Sequence, residues 1–364
     1  MKKWIVALSL MSFTHASLAC TAVNITAKDG TVIAGRTMEW ALEMKWQINS
    51  MPAGTSFQLS APPALNLPAV PQKTKYAIVG ISPAIIPGPA ALLEGQNSAG
   101  LAMSANFLPG FTEYQKVTAA DKSYVSILEF GTMTLGMYNS VEALKTNVLP
   151  FKVWYDSSLP AGPTPPLLHF VFTDKTGASI IIEFVKGEMR LHDNVASVLT
   201  NAPTYDWHLN NLRNYLSLTN FATPTIEVNG QNVTEIGQGG GLVGLSADYT
   251  PPARFVRAAF LRHFASVPET RTDNVQLVAH ILNNVDIPVG VSSSKSGNQI
   301  VSDYTQWVAI KDLTNQQWHF TNYQNRTNYI TLDLKKLFDS GKSGSWLVDS
   351  LPYPRADVTT QLMN

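Results

Sequence analysis

The sequence has little cysteine, no net charge and no long apolar run. Its 364 residues contain one cysteine, Cys20, so an internal disulfide is excluded and stability must come from the core. The 26 basic residues balance 26 acidic ones, which argues against a nucleic-acid partner or a polybasic membrane patch. The apolar run at 4–13 is shorter than the roughly 20 residues that a membrane span needs. A composition that is 45% hydrophobic and 14% charged is typical of a soluble globular protein.

Motifs for metals and nucleotides are also missing. The sequence has no His-Glu-x-x-His and no cysteine pair. The glycine-rich stretch at 237–244 lacks the Lys-Ser/Thr of a phosphate-binding loop. We therefore predict no bound metal and no cofactor.

The first nineteen residues have the pattern of a secretory signal peptide. Lys2 and Lys3 precede the apolar run, and Ser17 and Ala19 place small side chains three and one residues before a cleavage site. Cleavage there would make Cys20 the first residue of the mature protein. We predict a signal peptide at 1–19, a single domain at 20–364, and a periplasmic or secreted location.

Hydrophobic periodicity predicts an α+β protein. An Asp-Gly turn at 29–30 joins two apolar segments into a hairpin. Further strands are predicted at 76–82, 101–107, 167–173, 178–185, 305–310, 316–323 and 328–334, and helices at 123–138, 140–148, 253–265 and 273–285. Strands and helices occur in separate blocks, which favours antiparallel sheets covered by helices. The Pro-rich segments at 51–72 and 157–168 are predicted to be surface loops, and Trp40, Trp46, Phe107 and Trp207 to be core residues, some of which could line an acyl pocket.

A cysteine at the start of a secreted chain has three plausible fates. It can carry lipid, in which case the protein would be a non-catalytic lipoprotein that binds an apolar ligand or a partner. It can be inert, although an exposed thiol is disfavoured in an oxidising compartment. It can also be an N-terminal nucleophile, because a free α-amine with a pKa of about 7.7 to 8.0 can accept the proton of the thiol on the same residue.

Four separated blocks carry a resemblance to a known family. They are "CTAVNITAKDGTVIAGRTMEW" at 20–40, "NSAGLAMSANF" at 97–107, "LTNAPTYDWHLNNLRNY" at 199–215 and "IGQGGGLVGLSADYTPPARFVRAAFLR" at 236–262. In this order they resemble the choloylglycine hydrolases, a family of N-terminal nucleophile amidases that includes bile salt hydrolases and penicillin V acylases. The resemblance implies a four-layer αββα fold of two antiparallel sheets. It also implies cleavage of a linear amide that carries an apolar acyl group.

The resemblance also implies the residues of the site. Cys20 would attack the amide carbonyl, and Arg36 would place a positive charge beside its sulfur. Asn201 would donate to the oxyanion through its side-chain amide. Arg254 matches the second arginine that the family has near its active site.

Two positions depart from the family pattern. Glu39 stands where the family usually has an aspartate, so its carboxylate is one methylene further out. Asn106 matches a family asparagine of the oxyanion hole, in a stretch that is one residue shorter. The family acts on small acyl amides, among them conjugated bile acids, penicillin V and N-acyl homoserine lactones, and its members are often tetramers, which implies a homotetramer here.

Overall fold

A computed structural model of the protein describes residues 19–86, 91–159, 161, 165–296 and 298–363. The predicted signal peptide therefore lies outside the described residues except for Ala19. Among the described helices, none is long and apolar enough to cross a membrane.

The strands and helices of the described chain have the following bounds. The strands are β1 Cys20–Thr26, β2 Val32–Trp40, β3 Trp46–Met51, β4 Ser56–Leu59, β5 Val70–Lys73, β6 Ile78–Pro83, β7 Glu94–Asn97, β8 Ala102–Phe107, β9 Tyr124–Ser126, β10 Lys152–Trp154, β11 Leu168–Thr173, β12 Ser179–Val185, β13 Glu188–Asp193, β14 Val198–Leu199, β15 Ile226–Val228, β16 Gln231–Val233, β17 Ser292–Ser296, β18 Gln299–Asp312, β19 Gln317–Asn322, β20 Ile330–Asp333 and β21 Gly344–Leu347. The α-helices are α1 Ile127–Met137, α2 Val141–Val148, α3 Tyr205–Asn211, α4 Pro251–Phe264, α5 Arg271–Asn283, α6 Leu334–Asp339 and α7 Thr359–Leu362.

Two large antiparallel sheets form the centre of the molecule. The first has the order β14-β1-β2-β18-β19-β20, with β17 paired to β18, and the second has the order β13-β12-β11-β8-β7-β6-β3-β21. Helices α4 and α5 pack on the first sheet, and α1 packs on the second. The predicted α+β class and the four layers, helix on sheet on sheet on helix, are therefore confirmed.

The hairpin that begins at Cys20 forms as predicted. Cys20 on β1 pairs with Met38 on β2, and Gly30 adopts the left-handed conformation, with φ of 82°, that this turn requires. Gly35 on β2 allows α5 to approach closely, because a Cβ there would lie 2.5 Å from Val278 Cγ1. Helix α5 therefore packs directly on both strands of the hairpin.

The predicted helices at 140–148, 253–265 and 273–285 correspond to α2, α4 and α5. The helix predicted at 123–138 begins later, because residues 124–126 form the strand β9 and α1 begins at Ile127. Ser126 has an extended backbone at the start of α1, and its N–H donates to the Glu129 carboxylate at 3.2 Å. This cap separates β9 from α1 within the segment 123–138, which the apolar spacing predicts as one helix.

Two sequence predictions about the surface are corrected. The segment at 51–72 is not only loop, since β4 and β5 pair across it as a short hairpin. Trp207 is not a core residue: 43% of its surface is exposed, because its position on the short helix α3 faces outward while the neighbouring His208 faces inward. In the segment at 157–168, residues 160 and 162–164 lie outside the described residues.

Candidate active site

Cys20 lies at the first position of β1 with its side chain buried between the two sheets. Only 1% of its surface is exposed. In the described chain its nitrogen still belongs to the peptide bond with Ala19, so this nitrogen stands in for the amine that cleavage would create. Ala19 is equally buried, and its carbonyl accepts from the backbone N–H of Glu39 at 3.0 Å.

Arg36 reaches the sulfur from the neighbouring strand. Its Nη2 lies 3.2 Å from Cys20 Sγ and 3.1 Å from Met38 Sδ, and its Nη1 donates to Leu93 O at 2.7 Å. Burial raises the pKa of the Cys20 thiol, and the opposing effect of the Arg36 charge is smaller. Its surroundings therefore favour the thiol over the thiolate, and a thiol needs a base before it can act as a nucleophile.

Asn201 and Arg254 form hydrogen bonds with the backbone of Cys20. Cys20 N donates to Asn201 Oδ1 at 2.6 Å, and Arg254 Nη1 donates to Cys20 O at 2.6 Å. Arg254 also donates to Thr21 Oγ1 at 2.6 Å and, through Nη2, to Asn201 Oδ1 at 2.9 Å. Arg254 lies in the first turn of α4, where the prolines at 251–252 and the Thr250 cap fix the start of the helix.

Glu39 on β2 lies close to Cys20 and Arg254. Among the described residues, its carboxylate is not bonded to the nitrogen of Cys20. Its two carboxylate oxygens accept from Thr305 Oγ1 at 2.6 Å and from Thr37 Oγ1 at 3.1 Å. Burial raises the pKa of Glu39 to about 7, although the positive charge of Arg254 acts in the opposite direction. The carboxylate of Glu39 is thus bonded to two hydroxyl groups of the same sheet.

Asn106 faces the edge of the first sheet. Its Nδ2 donates to Thr200 O at 2.8 Å and to Leu199 O at 3.3 Å, which uses both hydrogens of the amide. Asn201 Nδ2 donates one hydrogen to Phe107 O at 2.9 Å and keeps the other. In this arrangement Asn106 ties β8 to β14, and of the two amides only that of Asn201 retains a free donor.

Two buried histidines fix the loop that carries Asn201. His208 Nε2 lies 2.9 Å from Asn201 O, and His169 Nε2 lies 3.1 Å from Thr200 O. Burial lowers the pKa of His208 to about 4, so its ring is neutral at pH 7 and stacks on Phe255 with centroids 4.6 Å apart. Neither histidine contacts the sulfur, which agrees with the absence of a histidine nucleophile motif in the sequence.

Behind Arg36 lies a buried ionic cluster that the sequence did not reveal. Glu94 forms an ion pair with Lys311, accepts from Ser104 Oγ at 2.9 Å and lies 3.9 Å from Arg36 Nη1. All three charged side chains are at most 1% exposed. One carboxylate therefore serves two buried cations, and Arg36 is held by this cluster on the side away from Cys20.

A large apolar cavity opens beside the cysteine. It has a volume of about 530 Å³ and is lined mainly by aromatic and aliphatic side chains, including Met38, Trp40, Trp46, Leu93 and Phe107. Met38 connects it to the nucleophile, since Met38 Sδ lies 3.7 Å from Cys20 Sγ. Trp40, Trp46 and Phe107 are buried as predicted and line this cavity as well.

Five of the six predicted site residues thus lie around the start of β1: Cys20, Arg36, Glu39, Asn201 and Arg254. The sixth, Asn106, contacts the loop before Asn201 through Leu199 O and Thr200 O. Sequence reasoning missed Met38, and it missed Asp303, a buried carboxylate on the same side as Glu39. Strand alternation along 299–312 could have indicated Asp303, but the strand was predicted to begin only at residue 305.

Comparison with known proteins identifies the family of the chain. A family model described as "Linear amide C-N hydrolases, choloylglycine hydrolase family" matches residues 20–345. A bile salt hydrolase/transferase of Clostridium perfringens is 30% identical over 87% of this chain and 94% of its own length. A penicillin V acylase of Pectobacterium atrosepticum is 26% identical over 94% of this chain and 89% of its own length.

Solved structures show the same relationship. A variant of the conjugated bile acid hydrolase from Clostridium perfringens superposes with a TM-score of 0.77 at 29% identity, covering 90% of this chain and 96% of its own. The penicillin V acylase from Agrobacterium tumefaciens shares the fold, with a TM-score of 0.68 at 22% identity over 91% of each chain.

Fold and site define an enzyme that hydrolyses the C–N bond of linear amides. The chain belongs to the choloylglycine hydrolase family, whose match begins at Cys20.

Proposed function

We propose that removal of residues 1–19 makes Cys20 an N-terminal nucleophile that cleaves an apolar acyl group from an amine. The observation that carries this proposal is the environment of one residue. Cys20 has its nitrogen held by Asn201, its carbonyl held by Arg254 and its sulfur held by Arg36. A cysteine fixed at all three groups, and in contact with the cavity residue Met38, is arranged for attack on a bound carbonyl carbon.

The freed α-amine would act as the base. With a reference pKa of about 7.7 to 8.0 it can take the proton of the buried thiol as sulfur attacks the carbonyl carbon. The same proton then passes to the leaving nitrogen as the C–N bond breaks, which leaves a thioester on Cys20. Water attacks the thioester, with the amine accepting one proton from it, and the acyl group departs as a carboxylic acid while the thiol is regenerated.

The oxyanion of each tetrahedral intermediate needs donors close to the sulfur. The unused hydrogen of Asn201 Nδ2 supports Asn201 in this role, and losing one such donor commonly costs about a hundredfold or more in rate. Asn106 stays a prediction, because its amide would have to release Leu199 O or Thr200 O before it could donate to an oxyanion. The carboxylate of Glu39 would partly offset the positive charges of Arg254 and of the new N-terminus.

The cavity supports an apolar acyl group as the part of the substrate that is recognised. Its charged lining residues, Glu43 and Lys45, are partly or fully exposed, whereas Leu92, Ile127 and Leu128 provide buried apolar wall. We therefore propose penicillin V, a long-chain N-acyl homoserine lactone or a conjugated bile acid as the substrate class. Export to the periplasm or medium and assembly into a homotetramer are part of the same proposal.

The test compares wild type with Cys20→Ala and Cys20→Ser on glycocholate, taurocholate, penicillin V and a long-chain N-acyl homoserine lactone. Cys20→Ala should fold and bind but show no turnover with any of them. Cys20→Ser should be severely impaired, because an alcohol releases its proton far less readily than a thiol. Intact mass of the purified enzyme should show a chain that begins at Cys20 without lipid. Retained turnover in Cys20→Ala would overturn the proposal.

A further inference from the structure

Asp303 is a buried carboxylate with no hydrogen-bond partner. It is 4% exposed, and neither Oδ1 nor Oδ2 has a partner among the described residues. Buried carboxylates are normally bonded or paired, because an unpaired charge is costly to remove from water. A group left in this state, beside the candidate nucleophile, is an indication of a partner that this form of the chain does not contain.

The neighbours of Asp303 locate it at the peptide that precedes the nucleophile. Burial and the Glu39 charge together raise the pKa of Asp303 to about 8, whereas Arg254 and the nearby backbone N–H of Ala19, which does not form a complete hydrogen bond with the carboxylate, act in the opposite direction. These three neighbours belong to β2, to α4 and to the residue directly before Cys20. Asp303 therefore faces the bond that cleavage after Ala19 would break.

Glu39 is not available for the same task in this arrangement. Its oxygens are taken by Thr37 and Thr305, and its backbone N–H holds Ala19 O. The carboxylate on β2 is thus engaged by hydrogen bonds, whereas the carboxylate of Asp303 on β18 is not.

Cleavage would change the electrostatics at this point. Removal of Ala19 takes away the N–H that faces Asp303 and creates an α-ammonium group on Cys20, one residue further along. One of its hydrogens is accounted for by Asn201 Oδ1, which already accepts from this nitrogen. We propose that Asp303 is the positioning residue that binds the α-ammonium group of processed Cys20, so that the terminal amine is held between Asn201 and Asp303. This inference rests on the proposed function and deepens it.

Binding by Asp303 would change the pKa of the α-amine of Cys20, which is the proposed base. An opposite charge within about 4 to 6 Å raises the pKa of an amine by about 1 to 3 units. Other charged or titratable groups face this region from every packed element, and they are Arg36 and Glu39 on β2, Arg254 on α4, His208 on α3 and Asp286 before β17. The two arginines lower the pKa of the amine, so Asp303 offsets them and keeps the amine a useful base near neutral pH.

The single cysteine makes the amine directly observable. In mature enzyme labelled with ¹³C and ¹⁵N only at cysteine, the one Cα and one amine nitrogen report the titration of residue 20. Asp303→Asn should lower the pKa of the amine by about one unit or more, and Asp303→Glu should restore part of the loss. The acid limb of the kcat/KM profile should move to lower pH by the same amount. A role of Asp303 in packing alone would not move either titration.

Asp303→Asn is expected to fold, because an amide has the same shape as the carboxyl group and the carboxylate makes no hydrogen bond among the described residues that the substitution would break. Asp303→Ser gives a second test at the same position. The matched control is Asp312→Asn, a buried carboxylate at the other end of β18 that accepts from the backbone N–H of Thr314 at 3.0 Å, and it should leave the amine titration in place. An unchanged amine pKa in Asp303→Asn, with Cys20→Ala inactive, overturns this inference alone. An active Cys20→Ala, or a labelled nitrogen that is still an amide, overturns the proposed function and the inference together.

Discussion

The side-chain oxygen of Asn201 lies 2.6 Å from the backbone nitrogen of Cys20 and 2.9 Å from Nη2 of Arg254. A single acceptor therefore connects the nucleophile to a buried arginine that also binds Cys20 O. Because Arg254 has a planar group with several fixed donors, it can hold the nucleophile and the asparagine in one geometry.

Replacing Arg254 with lysine should separate geometry from charge. A lysine keeps the positive charge but cannot reach all of the acceptors at once, so kcat/KM should fall by about a hundredfold, which corresponds to the loss of one or two bonds of about 1.5 to 3 kcal/mol. Arg262→Lys is the matched control on the same helix, because Arg262 Nε donates to Asn24 O and not to an atom of Cys20 or Asn201 among the described residues. Steady-state kinetics check the prediction, and equal effects of the two changes would contradict it.

The ionic cluster behind Arg36 should be strongly coupled. Lys311→Met leaves Glu94 buried with Arg36 at 3.9 Å as its remaining cation, so the free energy of unfolding should fall by about 3 to 5 kcal/mol. The double variant Lys311→Met, Glu94→Gln should lose less than the sum of the two single variants, by about 0.5 to 3 kcal/mol.

Urea unfolding measures this cycle. Lys335→Met is the surface control, since its ion pair with Asp339 is exposed to solvent and should contribute little to the free energy of unfolding. Strict additivity of the two buried substitutions would show that Lys311 and Glu94 do not act as a pair.

The start of the fold could be predicted from local chemistry alone. An Asp-Gly turn between alternating apolar residues fixes the hairpin, and the helices α4 and α5 follow from their apolar spacing. The roles of Arg36, Asn201 and Arg254 could not be derived in this way. Asn201 is 181 residues from Cys20 in the sequence, and only the resemblance to a family connected them.

Other parts of the site needed the three-dimensional arrangement. Glu94 and Lys311 are 217 residues apart, and neither lies in a motif that marks a buried charge. The partners of Glu39 depend on the pairing of β2 with β18, which brings Thr305 opposite Glu39. No one-dimensional pattern contains such a register between strands that are distant in sequence.

The two buried carboxyl groups predict a pH dependence of stability. In a chain that retains Ala19, Glu39 and Asp303 have folded pKa values of about 7 and about 8, above their ordinary values of 4.5 and 3.8. The folded state then binds more protons than the unfolded state between these limits. The contribution of these two groups to the free energy of unfolding is therefore largest below about pH 4 and is lost as the pH rises to about 8.

Each group contributes a slope of up to about 1.4 kcal/mol per pH unit within its own range. Asp303→Asn should remove its share and flatten the curve between pH 5 and 8. Urea unfolding of a cytoplasmically expressed chain that still carries Ala19 measures the effect, with Asp339→Asn, a substitution of an exposed carboxylate, as the control. A parallel pair of curves for wild type and Asp303→Asn would contradict the prediction.

The cavity should select acyl groups by size. Ala84 is half-buried and lines the cavity, so Ala84→Trp adds bulk without replacing a core side chain. Substrates with long or polycyclic acyl groups should lose kcat/KM by tenfold or more, since about 1 to 3 kcal/mol is at stake per methylene excluded, while short acyl groups should be little affected. Leu149→Trp, at an exposed position outside the cavity lining, should change neither. An equal loss for short and long acyl groups would contradict cavity selection.

The thioester on Cys20 is the intermediate on which the account depends. Acid quenching during turnover of a slowly hydrolysed acyl amide, followed by intact mass and peptide mapping, tests for it directly. We predict a chain that begins at Cys20 and carries the mass of one acyl group on its first residue, absent in Cys20→Ala. Turnover by a chain that still contains Ala19, or an acyl group on any other residue, would contradict the account.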